Sequence, residues 1–242
     1  MAAPTFVNAG AGSGNTTAIT PALPADLATN DILLLHLETF DPTITIADSA
    51  GGTWAAVTNS PKDNGSNLVL TVFWSRYNGT QTAPTTSDSG DHQYGVITAY
   101  RGCPTTGNPW DATAASDFAT IGDAFIGVTT TVVDCLIVHA AADNGDQATA
   151  WISGSANANL TSITERHDAG TTAGNGGELA IVTGIKATAG ATGNTSYTYA
   201  GAGSDTVMHT IALKPAVAAA AAAAFMQEHF GRGLGRGIWA GR

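Results

Sequence analysis

The sequence predicts an all-β protein: an antiparallel β-sandwich or jelly roll, followed by a short C-terminal helix and an extended arm. Strand-sized segments recur about every 10–20 residues, with no helical pattern of 10–15 residues between them. Clusters rich in Gly, Asn and Asp separate these segments and supply the positive φ angles of tight turns. Charged residues make up only 12% of the chain, against about 25% in typical globular domains.

The strands follow one another along the whole body. Residues 31–39, DILLLHLET, form a continuous apolar run that is typical of a core strand, and residues 68–77, LVLTVFWSRY, form a long strand with large aromatic side chains. Further strands are predicted at 43–47, 94–102, 135–142, 160–167, 178–185, 195–200 and 207–214, with weaker candidates at 5–9, 16–20, 53–57 and 124–131. No internal repeat of fixed period is visible. About ten strands or more in this arrangement favour a sandwich.

Pro215 divides the chain into a body, residues 1–214, and a C-terminal tail, residues 215–242, because proline cannot continue a β-ladder. Residues 216–230, AVAAAAAAAFMQEHF, are rich in alanine, the best helix former, and predict a short helix that Gly231 ends. The Gly/Arg-rich ribbon that follows has no structural preference of its own. We expect this arm to order on a partner, with an alanine spacer and a disordered end as the alternative.

Charge differs in sign between these two parts. The body has 18 acidic and six basic side chains, a net charge of −12, whereas the tail has Glu228 against three arginines, a net charge of +2. An acidic body predicts that nucleic acid is not a partner, since phosphate binding needs clustered Lys and Arg. The start of the chain lacks a secretory signal, and no run of 18 apolar residues occurs, so we expect no membrane partner.

Catalytic signatures are missing from the sequence. It contains no GxSxG, no phosphate-binding loop, no GxGxxG after a strand and no HExxH. The six histidines are not paired at a spacing that ligates metal, and three of them lie inside apolar strands, where core positions are expected. They are His36, His92, His139, His167, His209 and His229. The sequence therefore predicts a non-enzymatic protein without a cofactor or metal.

Several polar segments leave alternatives open. Residues 143–146, DNGD, resemble the start of a calcium loop, but position 154 holds Gly154 instead of the glutamate that completes such a loop. Residues 143–146, and likewise 87–92, SDSGDH, are therefore interpreted as solvated turns. A glycoside hydrolase would need two carboxylates across a cleft, for which the candidates on strands are Glu38, Glu165 and Glu178.

The aromatic residues and cysteines also allow two interpretations each. Aromatic rings on sandwich strands are usually core, although an exposed coplanar pair would form a sugar-stacking platform. The candidates are Trp54, Trp74, Tyr77, Tyr94, Tyr100, Trp110 and Trp151. Cys103 and Cys135 are too few for a disulfide framework, so two buried thiols are expected, with a single bridge as the alternative.

Four segments together resemble a group of virion structural proteins of tailed bacteriophages. They are PALPADLATNDILLLHLET (21–39), GGTWAAVTNSP (51–61), LTVFWSRYNGTQTAPTTSDSGDHQYGVITAYRGC (70–103) and HTIALKP (209–215). The resemblance extends over residues 4–215 and implies a jelly-roll-like head or tail component. It carries no active-site residues, and the tail lies outside it.

The resemblance and the residues together predict a capsid decoration or cement protein of the virion, assembled in the host cytoplasm. Its partners would be the major capsid protein or tail proteins and further copies of itself, with a trimer as one form. The tail residues expected at these contacts are Phe225, Met226, Phe230, Arg232, Arg236, Ile238, Trp239 and Arg242. The alternative is a receptor-binding module on a tail or head fibre that binds a cell-surface glycan.

Overall fold

The computed structural model describes residues 1–40, 44–47, 51–65, 67–118, 124–201, 203 and 205–217 of the 242-residue chain. Regular structure in these ranges is entirely β-strand, and the strands pair antiparallel, which confirms the all-β prediction. No helix in the described part is long and apolar enough to cross a membrane. The predicted helix from residue 218 onward, and all eight tail residues expected at contacts, lie outside the described ranges.

The strands fall into two halves of the chain. Those of the first half are β1 (Thr5–Ala9), β2 (Ser13–Asn15), β3 (Ile32–Thr39), β4 (Ile46–Ala47), β5 (Ala55–Ala56), β6 (Lys62–Asp63), β7 (Val69–Arg76), β8 (Thr85–Thr86) and β9 (Gln93–Arg101). Those of the second half are β10 (Trp110–Phe118), β11 (Ala124–Phe125), β12 (Thr129–Thr130), β13 (Cys135–Asp143), β14 (Ile152–Ala156), β15 (Thr161–Thr171), β16 (Gly177–Lys186), β17 (Gly190–Ala191), β18 (Thr195–Tyr199) and β19 (Thr206–Leu213).

Each half builds one of the two main sheets. The first sheet has the order β1-β9-β3-β7-β5, with β2 added to β9 and β6 added to β7. The second sheet has the order β10-β19-β13-β16-β15. When the five principal strands of each half are numbered along the chain, both sheets have the same spatial order, 1-5-2-4-3. The body therefore consists of two halves with one topology.

The shared strand order is not visible as a repeat of fixed period in the sequence. It is a repeat of topology, and the sequence records it in one short segment: 31–36, DILLLH, and 134–139, DCLIVH, lead into β3 and β13. Elsewhere the two halves differ in residue type and loop length. A strand position in a core accepts many apolar residues of suitable volume, so shared topology leaves little shared sequence.

The main core lies between the two sheets. Leu34 and Val72 of the first sheet pack in one cluster with Val138 and Ile181 of the second, and all four are fully buried. The alternate side chains of β3, such as Leu35, are equally buried in a second cluster on the outer face of the first sheet. Both faces of the central strands are thus covered, which explains their unbroken apolar runs. Burying each such side chain contributes about 1.5–3 kcal/mol.

One principal strand was not predicted from the sequence. The strand β10, WDATAASDF, has aromatic residues only at its two ends and a single Thr between them, and its Ala, Ser and Asp residues have low β-propensity. It forms because β19 pairs with it along its whole length, from Leu213 to Thr206. Conversely, the weak candidate at 16–20 is not a strand, since β2 ends at Asn15.

Candidate functional site

Charged side chains from both halves meet at one end of the sandwich. Glu38 lies near the end of β3 and is fully buried, and a Cβ atom at Gly177 on β16 would overlap its carboxylate. Asp143, the last residue of β13, is directly opposite Glu178 in the ladder with β16. Asp91 and His92 precede β9 at the same end. We call Glu38, Asp91, His92, Asp143 and Glu178 the acidic end.

In the first half, His92 connects the two carboxylates. Its Nε2 lies 2.9 Å from Glu38 Oε1 and its Nδ1 lies 2.9 Å from Asp91 Oδ2. Asp91 Oδ2 also accepts a hydrogen bond of 3.1 Å from the backbone N–H of Asn175, in the loop between β15 and β16. The chain of hydrogen bonds from Glu38 through His92 and Asp91 therefore ties the first sheet to the second.

The buried carboxylate of this first group, Glu38, has a cationic partner in His92. Burial alone would lower the pKa of His92, but the hydrogen bonds and charges of Glu38 and Asp91 outweigh it and raise the pKa to about 9. Burial raises the pKa of Glu38 to about 7, although contact with His92 opposes this rise. His92 is accordingly protonated at neutral pH, and both of its N–H groups donate to a carboxylate.

In the second half, Asp143 and Glu178 face each other without such a cation. Both are fully buried. The two carboxyls hydrogen-bond to each other, and the Gln147 side chain also interacts with Glu178. Burial, followed by the charge of Asp143, raises the pKa of Glu178 to about 8, and burial raises the pKa of Asp143 to about 6. This pair therefore holds fewer negative charges at neutral pH than its two carboxyls would carry in water.

The structure brings together some of the residues predicted from the sequence and separates others. Of the three candidate hydrolase carboxylates, Glu38 and Glu178 meet at the acidic end, whereas Glu165 is exposed on β15. A glycosidase pair must reach both a sugar and a water molecule. Neither Glu38 nor Glu178 is exposed to solvent, so this arrangement offers a sugar no access to them.

The two acidic segments interpreted as solvated turns are only partly so. Asp88 does form a turn, since its Oδ1 accepts from the Gly90 N–H at 2.8 Å, but His92 of the same segment is buried at the acidic end. In the segment 143–146, Asp146 is exposed and Asp143 is not. The reason is the length of β13, which extends through Asp143 and carries its side chain into the body.

The histidines within apolar strands occupy the core, as predicted: His36, His139 and His209 are fully buried. Burial lowers the pKa of His36 and His139 to about 3 and of His209 to about 4. His139 has a threonine hydroxyl within 2.9 Å of each ring nitrogen, on Thr210 and Thr195. These histidines are neutral and structural.

The aromatic residues and cysteines follow their expected core placement. Four of the seven candidate rings are buried, and the partly exposed Trp74 and Trp110 meet edge to face at 88°, so these two do not form a coplanar platform. Cys103 and Cys135 are buried free thiols, which confirms the expectation of two thiols and excludes a bridge between them.

The chain matches no protein-family model, no curated protein and no solved structure. Within the described ranges, no three His, Cys, Asp or Glu side chains are grouped so that they could hold a metal ion. The acidic end is the strongest candidate site of the described body, because buried ionisable side chains of both halves meet there. Its pairing of Asp143 with Glu178 could not be read from the sequence, because 35 positions separate two residues that the ladder register places side by side.

Proposed function

We propose that the protein is a non-enzymatic structural protein of a tailed-bacteriophage virion, a capsid decoration protein whose tail contacts neighbouring subunits. The observation that supports this proposal is the course of the chain out of the body. After β19, the Lys214 N–H donates to Pro109 O at 2.9 Å and the Ala216 N–H donates to Gly102 O at 2.7 Å. Gly102 follows the end of β9, whereas the acidic end lies at its start. The tail thus leaves from the end opposite the buried charges.

The charge and composition of the tail indicate that its partner is an acidic protein surface. The tail carries +2 and the body −12, so a tail is attracted to the body of another copy. Arginines pair well with carboxylates, and residues such as Trp239 contribute strongly to binding when they fill a pocket. A hollow of about 310 Å³ lies where the tail leaves, lined among others by Asp31, Arg101 and Ala216. These features support decoration through intersubunit contacts.

The jelly-roll description that the resemblance implies is not needed for this proposal. A jelly roll is built from two Greek keys, in which four strands have the order 4-1-2-3. The last four principal strands of each half here have the order 4-1-3-2. We therefore propose a sandwich of two like halves as the body of the decoration protein.

The test compares the full chain with a chain that ends at Val217, which keeps the hydrogen bond of Ala216. Both are added to phage particles assembled without this protein, and bound protein is measured by co-sedimentation; light scattering gives the mass of each chain in solution. We expect the full chain to bind particles saturably and the shortened chain to lose most of this binding. A control with Arg232, Arg236 and Arg242 changed to Lys keeps the charge and should retain part of it.

The proposal is wrong if the shortened chain decorates particles as well as the full chain, or if neither binds. Glycan binding would then be tested next, by screening the body against surface polysaccharides. No described aromatic pair favours that second function at present.

A further inference from the structure

The two edges of the second sheet differ in how they are protected. The sheet ends in β15 on one side and in β10 on the other. The strand β15 has four ionisable residues in a row, 165–168, and its register shifts twice. The strand β10 has small uncharged residues at 112–116, contains no lysine or proline, and shifts register only at its start. Charges, prolines and bulges keep other strands from pairing with an edge. Among the described residues, β10 is therefore the edge of this sheet that is left open to a further strand.

A groove of about 490 Å³ runs beside this edge, between β10 and the paired strands β12 and β17. It is lined among others by Ala112, Thr113, Ala114, Val128, Thr129 and Asn194. Its far wall is held in place, because the Thr192 N–H donates to Val128 O at 2.8 Å. On the β10 side, the Asn59 side-chain amide donates to Thr113 O at 3.2 Å, so this strand accepts an amide donor from outside its own sheet. The volume is in the range of ligand pockets, about 300–1,000 Å³.

The Gly/Arg arm, residues 231–242, has the sequence GRGLGRGIWAGR, which alternates with a period of two. Every second position from 231 onward is glycine, except Trp239, and the positions between them are Arg, Leu, Ile or Ala. Successive side chains of a strand point to opposite faces. In an extended conformation, one face of the arm therefore has no side chain except Trp239. Such a face can approach another backbone closely, and it suits a groove with small side chains and room for one large ring.

We propose that the groove along β10 binds the Gly/Arg arm of a neighbouring copy as an added strand, with Trp239 seated in the groove. This inference rests on the proposed function, because it assigns the intersubunit contact of the tail to a site on the body. Charge favours the pairing: the arm has three arginines and no acidic residue, whereas β10 has two aspartates and no basic residue. An added strand gains backbone hydrogen bonds along the edge, and the side chain in the groove gives specificity.

The course of the chain directs the arm away from the groove of its own copy. Trp110, at the start of β10, pairs with Leu213, so the groove lies close to the end of the body. The Ala216 N–H then donates to Gly102 O, which follows β9, whereas β10 lies beside β6. The chain thus leaves on the side away from β10. The helix predicted at 216–230 is about 21 Å long, which carries the arm further, toward another copy.

The experiment is disulfide cross-linking between two full-length variants, Thr129→Cys in the groove and Gly241→Cys in the arm. They are mixed at high protein concentration and oxidised, and the linked peptides are identified by mass spectrometry. Cys103 and Cys135 are buried and do not compete. Because each chain has one added cysteine, a bond between 129 and 241 joins two copies. We expect this mixed dimer, and none when Thr161→Cys, exposed on β15, replaces the groove variant.

Absence of the mixed dimer overturns the proposal. A chain that has both added cysteines and links only within itself, at the same concentration, overturns it as well. Failure here differs from failure of the proposed function. Particle decoration without the cross-link contradicts only the groove, and the cross-link without decoration contradicts only the role in the virion.

Light scattering measures the contribution of the ring in the groove. Trp239→Ala in the full chain should weaken self-association at least about tenfold, whereas Gln227→Ala, outside the arm, should leave it unchanged. Hydrogen exchange of the unaltered chain does not depend on the folding of any variant: on raising the protein concentration, protection must increase at 112–116 and 127–129. A chain that stays monomeric, equal self-association by Trp239→Ala, or unchanged protection at these residues contradicts the proposal.

Discussion

The two halves of the body share one strand order but differ in how they treat buried charge at the same end. The first half surrounds His92 with Glu38 and Asp91 at 2.9 Å each, so its buried charges are paired. The second half opposes Asp143 and Glu178 with no cation between them. A common topology thus sets where the end of a strand lies, and the residues placed there decide whether a buried carboxyl faces a cation or a second carboxyl.

A second pair of positions shows the opposite behaviour. His36 and His139 are the last residues of the matching segments DILLLH and DCLIVH, and each contacts a threonine hydroxyl of a neighbouring strand, Thr98 at 3.1 Å and Thr210 at 2.9 Å. Both halves bury a polar ring against a threonine of the neighbouring strand, but His139 has a hydroxyl at each ring nitrogen, whereas His36 has one at Nε2 only. Differences between the halves are therefore confined to particular places, and the acidic end is one of them.

The largest effect is expected when the balanced half loses its cation. His92→Ala leaves Glu38 buried beside Asp91 without a positive partner, which should lower the free energy of unfolding by about 3–5 kcal/mol. Guanidinium chloride unfolding at pH 7 measures it. The double variant His92→Ala with Glu38→Gln should recover part of the loss. A loss under about 1 kcal/mol would mean that the bridge is not what stabilises this end.

The next largest effect is on how the free energy of unfolding depends on pH. It tests whether His36 and His139 behave alike in the two halves. Burial lowers the pKa of His139 from 6.5 to about 3, so its contribution to stability is complete above pH 6.5 and is lost as pH falls from 6.5 toward 3. Between pH 7.5 and 5, the unaltered chain should lose roughly 2 kcal/mol more than His139→Gln does.

The same comparison with His36→Gln should give a similar difference, because the pKa of His36 is lowered to about 3 as well, first by burial and then by His209 and His167. Denaturant unfolding across this pH range supplies both values. Unequal differences would show that the two histidines are not equivalent, despite their matching segments.

A smaller effect of opposite sign is expected in the unbalanced half. Glu178→Gln replaces a buried carboxyl by a neutral amide and should raise the free energy of unfolding by about 1 kcal/mol. The measurement is denaturant unfolding at pH 8.5, with Glu165→Gln as the exposed control. If Glu178→Gln destabilises the protein as strongly as His92→Ala does, the two halves do not differ in whether their buried carboxyls have a cationic partner.

The smallest effect is expected at a surface pair that joins the halves. Lys62 Nζ on β6 lies 2.7 Å from Asp117 Oδ1 on β10, and both side chains are partly exposed. Lys62→Ala should therefore lower stability by no more than about 1 kcal/mol, and less in high salt. Unfolding at low and high salt measures this. A larger loss of stability that does not depend on salt would mean that the Lys62–Asp117 pair holds the two halves together more strongly than an exposed ion pair should.

Much of the fold, but little of the site, could be predicted from the sequence. The strands β3 and β13 are apolar on both faces, and such runs are legible without a structure. The strand β10 was missed because its stability comes from β19 and not from its own residues. Glu38 and Glu178 could be named as carboxylates on strands, but their meeting required the packing of two sheets.

The sequence by itself determined the class of this protein: local patterns of apolar residues and turn residues specify antiparallel strands, and they act over a few positions of the chain. The tertiary structure decided the rest. Ladder register placed Asp143 beside Glu178, and the contact between sheets placed Asp91 within reach of Asn175. Such pairings depend on which strands become neighbours, a choice made by the total burial of the core, so short segments of sequence do not record them.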